Sequence, residues 1–301
     1  MSGSGGLRLG LDIGGSKIAG LALDGAGREL ARRRRPMPRD YGAMLAAIAD
    51  CVAGLERAGG RGRAPRVGVS LPGVLAPDGG SVHCVNLPWL DHRPFAADLA
   101  AALDRPVRLA NDANCFVLSE ATDGAAAGAD VVFGAILGTG VGGGIVVGGR
   151  VLAGRNALAG EWGQNPMPWF GGRDAPWDGS DGDDRTERWL GGAALARDYA
   201  GTTGEAIEAL EVARRAEAGD DPAARAALAR YERRLAQALA AVINLLDPDV
   251  IVLGGGLSQI RRLYAAVPRL WAAYTVAAEP RTGLVAAAYG PESGLRGAAR
   301  L

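Results

Sequence analysis

The stretches Asp12-Ile-Gly-Gly-Ser-Lys17 and Gly138-Thr-Gly-Val-Gly-Gly-Gly144 decide the fold of this chain. Each follows a short apolar run and precedes another, a pattern that indicates a strand, a tight turn and a second strand. Glycines allow the backbone to approach a charged ligand closely and to direct its N–H groups toward it. One such turn is a weak signal, but two of them, one in each half of the chain, predict two similar lobes that bind one polyphosphate.

The pattern around both turns repeats. A β-meander over 7–35 is followed by alternating helices and strands, the last helix spanning 116–127, and strand, turn and strand then begin again at Val131. Two such halves predict an α/β protein with two lobes around a cleft. We assign residues 1–118, joined by a final helix at 290–301, to the first lobe and residues 119–289 to the second.

Composition narrows the possible partners. The chain has 301 residues, 48% of them hydrophobic, and its 33 basic and 33 acidic side chains give a formal net charge of zero. This balance argues against nucleic acid as the main partner. No stretch approaches the ~20 apolar residues that span a bilayer, and the start lacks a signal-peptide pattern, so we expect a cytoplasmic protein without a membrane partner.

Two aspartates are candidates for the chemistry. Asp12 ends an apolar strand just before two glycines, where a carboxylate can hold Mg²⁺ or its water shell; the alternative is an Asp that only shapes the turn. Asp112 follows a predicted strand, and a carboxylate there can take the proton of an attacking hydroxyl. The string Asn111-Asp-Ala-Asn114 is equally well explained as a helix N-cap.

Two glutamates are candidates for sugar binding. Glu161 lies in Gly160-Glu-Trp-Gly163, and Glu187 comes shortly before Trp189. Carboxylates bridge vicinal hydroxyls well, and aromatic rings pack on the apolar face of a pyranose. The alternative is that both are surface glutamates, the usual location of this residue type.

Lys17 is the only lysine of the chain, and its ammonium suits a phosphate or a carboxylate, although its presence there is equally explained by chance.

The motifs resemble those of the ROK family (repressor, open reading frame, kinase) of sugar kinases over nearly the whole chain. The matching strings are Asp12-Ile-Gly-Gly-Ser-Lys17, Leu71-Pro-Gly73, Asn111-Asp-Ala-Asn-Cys115, Leu137-Gly-Thr-Gly-Val-Gly-Gly-Gly144, Ala159-Gly-Glu-Trp-Gly163 and Asp247-Pro-Asp-Val-Ile-Val-Leu-Gly-Gly-Gly256. Within the family, the chain is most similar to bacterial manno(fructo)kinases, and it is also similar to bacterial N-acetylglucosamine kinases.

This resemblance implies a two-lobed actin-like (ribonuclease H-like) ATPase fold with the active site in the interlobe cleft. It implies ATP and Mg²⁺ as cofactors, with Asp12 near the metal, and Asp112 as the catalytic base. The sugar would be held by Gly73, Asn86, Asn111, Glu161, Gln164 and Glu187. The nucleotide would be held by Asp12, Gly14, Gly15, Ser16, Lys17, Gly138, Thr139, Gly140, Gly254, Gly255 and Gly256.

The chain departs from the family pattern at a zinc site. The family has a zinc-bound His three residues after the first glutamate, where this chain has Gln164. Counting back from Glu187, the three cysteine ligands of the family fall on Asp178, Ser180 and Arg185. Zinc needs thiolate or imidazole donors in a near-tetrahedral arrangement, so we predict that the chain has no zinc site and that other contacts order the loop 171–185.

The resemblance therefore implies an ATP-dependent kinase that phosphorylates the C6 hydroxyl of a hexose, with fructose or mannose as the first expectation. N-acetylglucosamine or glucose is the first alternative, and a non-catalytic sugar-sensing protein on the same fold is the second. By analogy with the family, we expect a homodimer.

Overall fold

The computed structural model describes residues 6–75, 81–83, 87–169 and 183–301. The chain divides into two compact units. The first contains residues 1–127, 149–159 and 291–301, and the second contains residues 128–148 and 160–290. The helix that contains residue 118, the predicted boundary, continues to Thr122.

The helices and strands follow the order that the sequence predicts, with a few additions. In chain order they are β1 (Arg8–Ile13), β2 (Lys17–Leu23), β3 (Glu29–Pro36), α1 (Tyr41–Gly59), β4 (Val67–Leu71), β5 (Val74–Leu75), β6 (Val82–His83), α2 (Phe95–Leu103), β7 (Val107–Asn111), α3 (Asp112–Thr122), β8 (Val131–Leu137), β9 (Val141–Val147), β10 (Arg150–Val151), α4 (Thr186–Leu190), α5 (Gly192–Thr203), α6 (Ala209–Ala218), α7 (Pro222–Leu246), β11 (Val250–Gly254), α8 (Leu263–Trp271), β12 (Gly283–Ala286) and α9 (Ser293–Ala298). Single 3₁₀ turns lie at Trp162–Gln164, Gly256–Gln259 and Gly290–Glu292.

The first unit is built on a sheet with the strand order β3-β2-β1-β4-β7. β1 is antiparallel to β2 but parallel to β4, and β4 is parallel to β7. The carboxyl ends of β1, β4 and β7 therefore meet at one edge of the sheet, where α/β proteins place their ligands. The register pairs Asp12 with Ser70 and Leu71 with Asn111 at this edge.

Successive side chains of β1 point to opposite faces of this sheet. Leu9, Leu11 and Ile13 are buried on the face that packs against α1 and α2. The opposite face is covered by α9, which approaches so closely that a Cβ on Gly68 would lie 1.8 Å from the carbonyl oxygen of Ala298. Glycine at this position is what lets the last helix lie flat on the sheet.

The second unit repeats the arrangement. Four of its strands lie in the order β9-β8-β11-β12, with β8 antiparallel to β9 and parallel to β11. Helices α5, α6, α7 and α8 supply a large apolar core around Tyr231 and Trp271, both fully buried. α7 begins where the sequence predicts, because Asp221 caps it by accepting a hydrogen bond from the Ala224 N–H (2.9 Å) and proline stands at its first position.

The structure corrects three expectations. α3 begins at Asp112 rather than at residue 116, because the side chain of Asn111 caps it. The sequence predicts a helix over 204–218, but α6 begins at Ala209 because Gly204 takes the left-handed conformation that ends α5. The short strand β12 was not predicted at all. None of the helices in the described ranges is long and apolar enough to cross a membrane.

Candidate active site

The first glycine turn joins β1 to β2 in the first unit. The Gly14 N–H donates to the carbonyl oxygen of Lys17 at 3.0 Å and closes the turn, while Gly15, Ser16 and Lys17 are exposed. A Cβ on Gly14 would meet nothing closer than 3.7 Å, and the residue does not use the left-handed region. Since the fold does not require glycine here, close approach of a ligand to the backbone explains it better.

Asp12 and Asp112 lie near one another at the ligand edge of this sheet. Burial raises the pKa of the Asp12 carboxyl, and the negative charge of Asp112 raises it further, while the Ser70 hydroxyl and the Lys17 ammonium oppose the shift. A buried carboxylate whose ionisation is further disfavoured by a neighbouring carboxylate marks a site that gains from a nearby cation. Both predicted carboxylates are thus on the same side of the first unit.

Asp112 combines access to solvent with a raised pKa. Its side chain is exposed, yet the surrounding protein removes enough hydrating water to raise the pKa of the carboxyl. Hydrogen bonds from the backbone, including one from the Ala113 N–H (2.9 Å), lower the pKa but do not cancel the effect. A reachable carboxylate with a raised pKa is a stronger base than an ordinary aspartate and is suited to accept a proton.

The N-cap interpretation of this tetrapeptide also holds. The Asn111 Oδ1 accepts a hydrogen bond from the Asn114 N–H at 2.8 Å, so this oxygen ends the strand and starts the helix. The cap fixes the backbone at Asp112 and with it the direction of the carboxylate. Capping and catalysis are therefore not exclusive explanations, because the first prepares the geometry for the second.

Sequence reasoning missed two residues beside these carboxylates. Ser70, on β4, is fully buried and is the register partner of Asp12 on the neighbouring strand β1. Cys115, one turn into α3, is also fully buried, and burial raises the pKa of its thiol far above the usual value. A serine inside the apolar run Val67-Gly-Val-Ser-Leu71 was the signal that pointed to a polar function for this strand.

The second glycine turn joins β8 to β9 in the second unit. The Gly138 N–H donates to the Gly140 carbonyl oxygen at 3.0 Å, and the Gly192 N–H donates to the Gly138 carbonyl oxygen at 2.6 Å. A pocket of about 830 Å³ opens beside the turn, and its lining includes Gly138, Thr139 and Gly256. Two predicted nucleotide-binding segments, far apart in sequence, therefore line one pocket.

The rest of this pocket comes from α5 and α6, which sequence reasoning did not assign to the site. Ala193, Ala196, Arg197 and Ala200 contribute from α5, and Ile207 and Glu208 from the start of α6. The spacing of the α5 residues places them on one helix face. The alanines of this face, Ala193, Ala196 and Ala200, were a readable signal, because small side chains leave room for a ligand.

The glycines after β11 divide into two kinds. Gly255 has a φ of +81°, and a Cβ there would lie 2.4 Å from the Leu137 carbonyl oxygen, so the fold requires this glycine. At Gly256 a Cβ would meet nothing within 4 Å, and the residue lines the pocket. Gly254 ends β11 and is buried. Of Gly255 and Gly256, the packing requires only the first to be glycine.

Glu187, on α4, lies against the second glycine turn. Its Oε2 accepts a hydrogen bond from the Val141 N–H at 3.0 Å, and a Cβ on Gly140 would lie 2.5 Å from the same oxygen. Two contacts hold α4 in this position. The Tyr231 hydroxyl donates to the Leu190 carbonyl oxygen (2.9 Å), and the Arg234 guanidinium lies 5.3 Å from the Trp189 ring centre.

Backbone pairing brings the chain around Gln164 next to the chain that leads to Glu187. The Thr186 N–H donates to the Asn165 carbonyl oxygen (2.7 Å), and the Arg185 Nη1 donates to the Gln164 Oε1 (2.9 Å). Two of the four positions that match zinc ligands of the family are thus joined by a hydrogen bond between an amide and a guanidinium. Neither group is a zinc ligand of the usual kind.

The remaining predicted residues are placed as follows. Glu161 is half-buried and directly precedes the 3₁₀ turn whose Trp162 donates its indole N–H to the Gly142 carbonyl oxygen (2.8 Å). Gly73 lies just after β4 with a φ of +119°. Asn86, Asp178 and Ser180 lie outside the described residues. Within the ranges that the structure describes, no group of three His, Cys, Asp or Glu side chains forms a metal cluster.

Comparison with known proteins gives consistent similarities. Residues 8–301 match the ROK family. The chain is 38% identical to an N-acetyl-D-glucosamine kinase of Escherichia coli O1:K1 over 305 aligned positions, which cover 97% of this chain and 98% of that protein.

Two solved structures extend the comparison. A ROK hexokinase from Thermus thermophilus has a TM-score of 0.84 and 33% identity, with 97% of this chain and 96% of that chain covered. A ROK family glucokinase from Streptomyces griseus, solved with glucose and AMPPNP, has a TM-score of 0.73 and 29% identity, with 98% of each chain covered. Together with the two similar sheets, these similarities confirm the predicted actin-like ATPase fold.

Proposed function

The chain belongs to the ROK family, and from this premise we propose that it transfers the γ-phosphate of ATP to the C6 hydroxyl of N-acetyl-D-glucosamine. That the chain is an ATP-dependent sugar kinase follows from its relatives. The identity of the sugar and the residues that act on it are the proposal.

The observation that supports the reaction best is the position of Asp112. It is exposed at the start of α3, its pKa is raised, and it lies near Asp12, which leads directly into the first glycine turn. In its ionised form the carboxylate accepts the proton of the sugar hydroxyl while the hydroxyl oxygen attacks phosphorus. The Asn111 cap fixes the backbone that carries Asp112 at the start of α3.

Asp12 fits a magnesium ion that arrives with ATP. Mg²⁺ prefers oxygen ligands and keeps several of its waters, and a half-buried carboxylate with a raised pKa gains from such a partner. When bound, the ion would neutralise charge on the phosphates as the γ-phosphoryl group is transferred. Lys17, exposed at the other end of the same turn, would add a second positive charge toward the phosphates.

The nucleotide would use both glycine turns. In the first unit, the exposed backbone of Gly14, Gly15 and Ser16 would face phosphate oxygens. In the second unit, Gly138, Thr139 and Gly140 would do the same, and the pocket of about 830 Å³ beside them would hold the adenosine against α5 and Gly256. Its volume lies within the range of ~300–1,000 Å³ that is usual for small-molecule sites.

The sugar would be held by carboxylates and amides. Glu187 has one oxygen engaged by the Val141 N–H, so its second oxygen would accept hydrogen bonds from sugar hydroxyls. Glu161 would be the second carboxylate, and Asn111 and Gln164 the amides. We also retain Gly73 and Asn86 as sugar-binding residues.

The choice of N-acetylglucosamine differs from the first expectation of fructose or mannose. The relative at 38% identity is an N-acetyl-D-glucosamine kinase, and nearly the whole of both chains is covered. The glucokinase structure at 29% identity keeps glucose as the next candidate. Hexoses differ by single hydroxyl or amide groups, and a site that hydrogen-bonds one such group strongly rejects sugars without it.

A panel of sugars in a coupled assay for ADP formation tests this proposal. We expect kcat/KM for N-acetylglucosamine to exceed the values for glucose, mannose and fructose by at least about ten-fold, with the Asp112→Asn protein as the inactive control. A higher value for fructose or mannose would reject the proposed substrate. Sugar binding without any ADP formation would instead indicate a sensor.

We also propose that no zinc is bound. Gln164 and Arg185 occupy two of the four matching positions and bind each other, so we expect elemental analysis of the purified protein to find no stoichiometric zinc. About one tightly held zinc per chain would contradict this. A homodimer and a cytoplasmic location also stay predictions.

A further inference from the structure

Three arginines cluster at the edge of the first sheet that lies opposite the glycine turn. Arg8 begins β1, Arg66 directly precedes β4, and Arg108 is the second residue of β7. The register pairs Leu9 with Val67 and Gly68 with Arg108. Since side chains alternate along strands and paired residues share a face, all three arginines lie on the face that α9 covers.

These three arginines have no directly bonded acidic partner among the residues that the structure describes. Within the described part of the chain, none of the three guanidinium groups forms a hydrogen bond or an ion pair. Burial lowers the pKa of Arg8, and the charges of Arg300 and Arg66 lower it further. The negative charge of Asp123, which also pairs with Arg296 and Arg300, opposes this shift in the pKa of Arg8 but contributes less than the other causes. Like charges on neighbouring strands destabilise a sheet, so the cluster has a cost in the free protein.

All three arginines line one pocket of the first unit. Its volume is about 450 Å³, and Arg8, Arg66 and Arg108 line it together with apolar residues such as Leu7, Pro65 and Ala298. The volume lies within the range of ~300–1,000 Å³ that small-molecule sites occupy. Three guanidinium groups around one pocket provide forks of N–H donors, which match the oxygens of a phosphate group.

We propose that this pocket binds a phosphate dianion, either free or as the monoester of a small sugar. It is separate from the candidate active site, because β1 carries Arg8 at one end and Asp12 four residues further on, ~13 Å away at the usual rise per residue. A dianion here would relieve the repulsion between the arginines, which a neutral ligand would not do.

Calorimetric titration with inorganic phosphate tests the site. The protein is first saturated with a non-hydrolysable ATP analogue, so that the glycine turns do not bind the phosphate, and ionic strength is held constant. We expect saturable binding that weakens at least ten-fold in the double variant Arg66→Gln/Arg108→Gln. The matched control is Arg57→Gln/Arg269→Gln, which removes the same charge from two exposed helical arginines.

The same titration with glucose 6-phosphate in place of inorganic phosphate distinguishes a sugar monoester from free phosphate as the ligand. Binding at least ten-fold tighter than that of inorganic phosphate identifies a monoester, and similar affinity identifies free phosphate. Binding that is unchanged in the Arg66/Arg108 variant overturns the proposal. Equal weakening in the control variant also overturns it, because the effect would then be one of net charge. Circular dichroism confirms that each variant is folded.

Discussion

The two glycine turns have the same local construction but different surroundings. Each connects two antiparallel strands and is closed by a backbone hydrogen bond of 3.0 Å. Beside the first turn are Asp12 and Asp112, two carboxylates with raised pKa values. Beside the second are Glu187 and an open pocket lined by α5. The same motif therefore has two carboxylates beside it in one unit and an open pocket beside it in the other, which is why we propose different roles for the two turns.

The largest effect should come from the carboxylate beside the first turn. We expect Asp112→Ala to lower kcat by about 10²–10⁴, the usual contribution of a general base, while the affinity for sugar changes only a few-fold. Asp220→Ala, at an exposed position in the second unit, is the control. Steady-state kinetics that retain more than about a tenth of the wild-type rate would remove Asp112 from the catalytic role.

Glu187→Gln tests the carboxylate beside the second turn. A charged hydrogen bond contributes roughly 1.5–3 kcal/mol, so the substitution should raise the KM for sugar about ten-fold or more. Because Oε2 of Glu187 also accepts the Val141 N–H at the glycine turn, we expect a smaller rise, of a few-fold, in the KM for ATP. Unchanged sugar kinetics would make Glu187 a structural support of the turn and nothing more.

Two neighbouring glycines distinguish binding from folding within the second unit. We expect Gly256→Ala to raise the KM for ATP roughly ten-fold, about 1.4 kcal/mol, and to leave Tm unchanged, since the new methyl group projects into the pocket. Gly255→Ala should lower Tm by several degrees, because alanine is strained at a φ of +81° and its Cβ would lie 2.4 Å from the Leu137 carbonyl oxygen. If Gly256→Ala lost stability instead, its backbone would be structural too.

The smallest effect concerns stability and pH. The folded state raises the pKa of Asp112, so it holds the proton more tightly than the unfolded chain does. Stability of the wild type is therefore lost as pH rises from the ordinary aspartate pKa of about 3.9 through the raised value. Asp112→Asn avoids this loss, and we expect its Tm to exceed that of the wild type at pH 7.

The difference should vanish below about pH 4, where the wild-type carboxyl is protonated in both states. Thermal melts at pH 3.5, 5 and 7 measure it. A lower Tm for Asp112→Asn at pH 7 would show that the favourable interaction of a carboxylate with the start of α3 outweighs the cost of removing it from water.

Local chemistry made much of the fold predictable from the sequence. The strand, turn and strand around each glycine motif and the 25 residues of α7 were predicted close to their observed ends, because apolar periodicity and capping residues act over short distances. β12 was not predictable in this way, since four half-exposed residues at a sheet edge carry little pattern.

The candidate site was only partly readable. The motifs identified Asp12, Asp112, Glu187 and the glycines as candidates, but they did not distinguish Gly256, which is open to the pocket, from Gly255, which the fold requires. They also missed Ser70 and the α5 face of the pocket, because those residues acquire their role from neighbours distant in sequence.

The sequence by itself determined the fold class, the family and the two glycine turns, since each depends on residues close together in the chain. Only the tertiary structure decided which side chains meet. It joined Gln164 to Arg185 where the family has zinc ligands, placed Glu187 on the second turn, and gathered three arginines at the far edge of the first sheet. The physical reason is that hydrogen bonds, burial and electrostatic repulsion depend on distances in space, and sequence spacing does not specify these across separate strands and helices.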